Sequence, residues 1–73
     1  MSVVVYSKPN CPQCDQTIKR LESKEVEYEK HDVTADQEAY DKVISLGYRN
    51  MPVVVVGEAH WSGFRPDKIN ALA

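Results

Sequence analysis

Changes in the period of apolar residues divide the chain into elements. Val3-Val4-Val5-Tyr6 is an unbroken β-branched and aromatic run, the composition of a strand covered on both faces, and it ends at Ser7. Lys8-Pro9-Asn10 reads as a loop. Cys11, Cys14, Ile18 and Leu21 then recur at spacings of three, four and three, which is one stripe of a helix. Pro12 suits the first turn of that helix, because its fixed φ is helical and its missing N–H has no intrahelical partner there, so Cys11 is expected at or beside the N-cap. Glu27 to Val33 alternates weakly through Tyr28 and predicts a second strand, parallel to the first across the helical crossover.

The second half continues in the same way. Thr34-Ala35-Asp36-Gln37 has the form of a capping box, and Ala39, Tyr40, Val43, Ile44 and Leu46 predict a helical face until Gly47 supplies a left-handed C-cap. A second helix over roughly Ala35 to Leu46 follows. Pro52 introduces the strand Val53-Val54-Val55-Val56, and Gly57-Glu58 is a tight turn into Ala59-His60-Trp61, an antiparallel hairpin. Pro66 opens a last short helix through Leu72, with Asp67 well placed in its first turn. Tyr6, Tyr28 and Tyr40 are expected to bury their rings against the sheet. Tyr48 and Arg49, in the loop before Met51, could pack or line a substrate groove.

The order β-α-β-α-β-β-α is that of an α/β protein, and 73 residues fit one domain, 1–73, with no repeat, linker or low-complexity segment. A hydrophobic share of 42% suffices for a core. The net charge of −2 is spread over interspersed acids and bases with no basic stripe, which argues against nucleic acid or an anionic membrane as partner. The opening MSVVVYSKPN has neither a basic n-region nor an apolar run long enough for a signal peptide or a membrane span, so a cytoplasmic location is expected.

The two cysteines are the candidate chemistry. As a staple, Cys11–Cys14 would close only a four-residue loop, worth about 2 kcal/mol in the chain-entropy model. One close pair in a chain otherwise free of cysteine points instead to redox or metal chemistry in a reducing compartment. A metal reading would add His31 and His60, but these are 29 positions apart on separate predicted strands, unlike the close histidine pair of zinc fingers, so both are read as structural. For redox work the helix N-terminus matters. Its free N–H groups and dipole stabilise a thiolate, so Cys11 is the expected nucleophile and Cys14, one turn inside, the resolving thiol. Lys8 would add positive potential, and Asp15 would oppose it, so a moderate lowering of the Cys11 thiol is expected.

"CPQC" at 11–14, "MPVVVVG" at 51–57 and "HWSGFRPD" at 60–67 together resemble the thioredoxin superfamily, specifically the NrdH-redoxins, over nearly the whole chain. One departure is Pro12, where NrdH-redoxins more often carry an apolar residue such as valine or methionine. The resemblance implies a thioredoxin fold, a four-stranded mixed sheet flanked by three helices. It implies a dithiol-disulfide oxidoreductase with no bound cofactor, whose working group is the Cys11–Cys14 pair. It implies electron delivery to class Ib ribonucleotide reductase, with re-reduction by thioredoxin reductase, a flavoprotein fed by NADPH. It also implies a cis Met51-Pro52 bond facing the cysteines, with Lys8, Pro12, Gln13, Met51 and Pro52 contacting the partner and Trp61, Ser62, Phe64 and Arg65 in support. Ser62 and Arg65 are expected to hydrogen-bond across their segment. Glutaredoxins that use glutathione carry T-V-P at the cis proline and Gly-Gly plus an acid after the hairpin. Here Asn50-Met51-Pro52, Ser62-Gly63 and Phe64-Arg65 stand instead, so glutathione is expected to be a poor reductant. A monomer is expected.

Overall fold

The computed structural model describes residues 2–72. Its elements are β1 (Val3–Ser7), α1 (Pro12–Ser23), β2 (Glu29–Asp32), α2 (Gln37–Ser45), β3 (Val53–Val56), β4 (Ala59–Ser62) and α3 (Pro66–Asn70). The strands form one mixed sheet in the order β2-β1-β3-β4. β1 runs parallel to β2, with Val5 opposite Lys30, and antiparallel to β3, with Val5 opposite Val54; β3 and β4 form the antiparallel hairpin. This is the thioredoxin fold that the resemblance implied.

The sheet has two unequal faces. Side chains alternate along a strand, so Val3 and Val5 share a face with their partners Val56 and Val54 and with Trp61. There they join Leu21 of α1 and Ile69 of α3 in the main core, with Ile18, Val26, Tyr28, Phe64 and Leu72 packed around it. Val4, Tyr6 and Val55 point to the other face and are only half-buried. That is the side of α2, as Tyr6 and His31 line a groove with Ala39 and Lys42. β1 therefore alternates buried and half-buried positions instead of being covered on both faces. One nine-residue helix covers what two helices cover opposite.

Several boundaries differ from expectation for local reasons. β2 is four residues, ending where Asp32 turns the chain. Asp32 Oδ1 accepts hydrogen bonds from the Thr34 N–H (2.8 Å) and hydroxyl (2.6 Å), so Thr34 is engaged in that turn and does not cap α2. The cap is Asp36, whose side chain accepts from the N–H groups of Glu38 and Ala39. The α2 end is as expected: Gly47 (φ +91°) sits past the last turn, with its N–H on the Ile44 carbonyl and that of Tyr48 on the Val43 carbonyl, a Schellman closure. α3 is shorter than expected, stopping at Asn70. Tyr40 is a correction: it is 47% exposed, because α2 buries only Ala39 and Val43.

Candidate active site

The site is built on the start of α1. Cys11 is the N-cap residue, with extended backbone (φ −121°, ψ 96°), and its Sγ accepts the Cys14 N–H at 3.2 Å. Pro12 occupies the first helical turn. The two cysteines form a disulfide across this turn, with Cα atoms 5.2 Å apart. Cys11 is 7% exposed and Cys14 3%, so both are buried and the first is the more accessible. A main-chain N–H at a helix start, as that of Cys14 is here, is the kind of donor that favours a thiolate.

The cis proline faces this pair. The Met51-Pro52 bond is cis, and the Met51 carbonyl oxygen lies 3.8 Å from Cys11 Sγ. Pro52 is buried and Met51 half-buried. Three ties from β4 and the residue after it fix this loop. Ser62 Oγ donates to the Asn50 carbonyl (3.0 Å), the Gly63 N–H donates to the Pro52 carbonyl (2.9 Å), and Tyr48 Oη lies 2.7 Å from His60 Nδ1. Tyr48 is thus a tether of the loop.

The remaining sequence-derived residues separate into two groups. Exposed Lys8 lies on the α2 side of the site, where it lines a groove of about 390 Å³ with Val33, Thr34, Gln37, Tyr40, Arg49 and Met51. Gln13, on the exposed side of α1, reaches across to accept the Phe64 N–H at 3.2 Å. Trp61 is buried in the core with the Lys68 ammonium 5.8 Å from its ring, and Phe64 packs on the same core. Arg65 does not bond across the segment to Ser62. Its guanidinium donates to both carboxylate oxygens of Asp67 (3.2 and 2.9 Å), and this pairing holds the Asp67 carboxyl below its ordinary range and raises Arg65.

Sequence reasoning missed the Gln13 to Phe64 bond and, of the groove, offered Arg49 but not the part lined by Val33, Gln37 and Tyr40. A glutamine inside the cysteine motif gives no sign of its partner 51 positions away, while Arg49 and Tyr40 come near Lys8 only through the packing of α2. The histidines do not join the cysteines. His31 stacks on Tyr6 between Glu29 and Asp36 on β2, and His60 is on β4. Those strands are the two edges of the sheet, about 14 Å apart at normal strand spacing. Among the described residues no three His, Cys, Asp or Glu side chains are grouped to hold a metal ion, and no helix is long and apolar enough to cross a membrane.

A disulfide at a helix N-cap, facing a cis proline on this sheet, defines the class: a thiol-disulfide oxidoreductase of thioredoxin fold. The glutaredoxin family profile matches residues 3–61. The glutaredoxin-like protein NrdH of Salmonella typhimurium is 43% identical over 72 residues, 99% of this chain and 89% of that one. The solved Escherichia coli NrdH-redoxin, described as glutaredoxin-like with a thioredoxin-like activity profile, superposes with a TM-score of 0.95 at 37% identity, covering 100% of this chain and 96% of that one. A glutaredoxin from Archaeoglobus fulgidus reaches 0.80 at 26% identity, over 97% of this chain and 84% of its own. The chain belongs to the glutaredoxin family, and within it to the NrdH-redoxins.

Proposed function

We propose that this protein carries electrons in the cytoplasm, as a monomer, from a flavin-dependent thioredoxin reductase supplied by NADPH to class Ib ribonucleotide reductase. In the reduced protein the Cys11 thiolate attacks one sulfur of the substrate disulfide. That bond breaks, the other substrate sulfur leaves as a thiolate, and a mixed disulfide forms on Cys11. Cys14 then loses its proton and attacks Cys11 Sγ, expelling the second substrate thiolate and closing the Cys11–Cys14 bond. Two electrons pass to the substrate in each cycle. The partner docks on the surface around Cys11, Pro12, Met51 and Pro52, with Gln13 and Lys8 at its margins. Its extended segment pairs with the backbone beside the cis proline, a form of β-augmentation.

The observation that carries the choice of donor is the segment from the end of β4 to the start of α3. Ser62-Gly63-Phe64-Arg65 stands where a glutathione site would present two glycines and an acid, and Ser62 is engaged with Asn50. Arg65, standing near the place of the acid that would hold the glutathione amine, is itself paired with Asp67, so its repulsion of that amine is weakened. The E. coli relative's thioredoxin-like profile supports the same choice. The test compares NADPH oxidation through thioredoxin reductase with reduction by glutathione and glutathione reductase. Turnover with the first and little with the second is expected. Efficient reduction by glutathione with none by thioredoxin reductase would make this an ordinary glutathione-dependent glutaredoxin.

A further inference from the structure

Gln13 stands between the two reactive cysteines, so whatever its side chain holds borders the disulfide. It holds the Phe64 N–H, through Oε1 at 3.2 Å. The residue before, Gly63, turns the chain at φ +86°, and a Cβ built on it would meet the same Oε1 at 3.4 Å. Gly63's own N–H is taken by the Pro52 carbonyl at 2.9 Å. Two successive main-chain donors at a left-handed glycine form the kind of concavity that binds carboxylates. In this chain both are occupied from within, one by the cis-proline carbonyl and one by an amide side chain of the cysteine motif.

We propose that Gln13 is a specificity-determining residue that keeps the Phe64 N–H from the carboxylate of a small anionic peptide thiol. The proposal rests on the reading that glutathione is a poor donor here and names a residue responsible. Reduction by such a thiol takes two molecules. The first thiolate attacks Cys11 Sγ, the Cys11–Cys14 bond breaks, and Cys14 leaves as a thiolate and is protonated. The second attacks the sulfur of the bound thiol, frees Cys11 and leaves as the thiol's own disulfide. Both steps gain from holding the thiol by its carboxylate, and one hydrogen bond to a charged group changes a rate by about tenfold or more. Gln13 denies that hold at Phe64.

Two variants separate this role from simple packing. Gln13→Met keeps the length of the side chain and removes the acceptor, whereas Gln13→Glu keeps an acceptor and adds a negative charge. The readout is the rate constant for reduction by glutathione divided by that for uncharged 2-mercaptoethanol, which cancels any general change in access to the disulfide. That ratio is expected to rise about tenfold in Gln13→Met and not to rise in Gln13→Glu. The Phe64 amide resonance is expected to shift and exchange faster in Gln13→Met alone. A ratio that stays level or falls in Gln13→Met, or rises equally in both variants, overturns the proposal. If the unmodified protein proves to be a good glutathione substrate, the donor assignment fails, while the ratio between variants still reads the part played by Gln13.

Discussion

α1 and α2 start with the same backbone geometry and different cap atoms. Cys11 (φ −121°, ψ 96°) and Asp36 (φ −127°, ψ 106°) are both extended, and each side chain accepts from the main chain of the turn that follows, Cys11 from the Cys14 N–H and Asp36 from those of Glu38 and Ala39. A carboxylate is among the best caps, and a thiol sulfur is a weak acceptor. α2 has the strong cap and a thin hold on the sheet, burying Ala39 and Val43 while Tyr40 and Ile44 stay exposed. α1 has the weak cap, with Pro12 setting its first turn. It buries Cys14, Thr17 and Leu21 and is tied to α3 by Arg20 Nε donating to Asn70 Oδ1 at 3.1 Å. The contrast shows what a reactive cap needs. A group that must change its bonding in every cycle cannot be what anchors its helix, so packing further along α1 holds the turn in place while the Cys11–Cys14 bond forms and breaks.

The largest effect is expected where the two caps are made chemically alike. Serine caps a helix well but is a poor nucleophile toward sulfur, so Cys11→Ser should keep α1 and lose disulfide reduction entirely. A reductase-coupled assay reads the loss, and circular dichroism reads the retained helix. Cys14→Ser should stop the reaction at the mixed disulfide on Cys11, visible as a mass adduct. An adduct that accumulates in Cys11→Ser and not in Cys14→Ser would reverse the two roles.

The difference in anchoring gives the next effect. Leu21 is fully buried and Ile44 is 44% exposed. Leu21→Ala is expected to cost about 2–5 kcal/mol and Ile44→Ala less than about 0.5 kcal/mol, as measured by urea unfolding of the oxidised protein. Equal costs would mean that α2 is held by more than the described contacts.

These helices also show what could be read from the chain. The stripe Cys11, Cys14, Ile18, Leu21 placed α1 and its cap because spacing and Pro12 agreed, and the valine runs placed β1 and β3. The cis Met51-Pro52 bond came from resemblance; no local pattern requires it. The start of α2 was misread, since Thr34 and Asp36 are both good caps and only the turn at Asp32 decides between them. Tyr40 was misread because helical period gives the direction of a face and not how much sheet lies under it. The tie between Gln13 and Phe64 had no sequence signal, because it joins segments that meet only when α1 packs beside α3.

Asp36 measures what an unreactive cap is worth. Asp36→Ala is expected to cost about 1 kcal/mol, with Asp36→Ser recovering most of it. The rate of disulfide exchange should stay the same in both, since Asp36 caps the helix that carries no cysteine. A fall in that rate matching the loss of stability would show that the α2 start supports the site, and the two helix starts would no longer be independent.

The smallest expected effect is a pH dependence confined to the approach to α2. The Thr34 hydroxyl and N–H donate to the Asp32 carboxylate and hold it below its ordinary range. A carboxyl lowered by folding binds fewer protons in the native state than in the unfolded chain. Its contribution is complete above the unfolded value, near about pH 4, and is lost as pH falls through the folded value. Asp32 is only half-buried, at the end of β2, so solvent screens much of the effect. In Asp32→Asn, which keeps an acceptor for Thr34 without the titrating group, the urea midpoint should fall less steeply below about pH 4 than in the unmodified protein. The approach to α1, Lys8-Pro9-Asn10, contains no carboxylate. Acid should therefore loosen the Ala35 and Asp36 amides, both bonded to the Asp32 carbonyl, before it loosens that of Cys14 on Cys11 Sγ. Hydrogen exchange on the oxidised protein reads that order, and simultaneous loss of protection at both helix starts would mean that their caps do not set local stability separately.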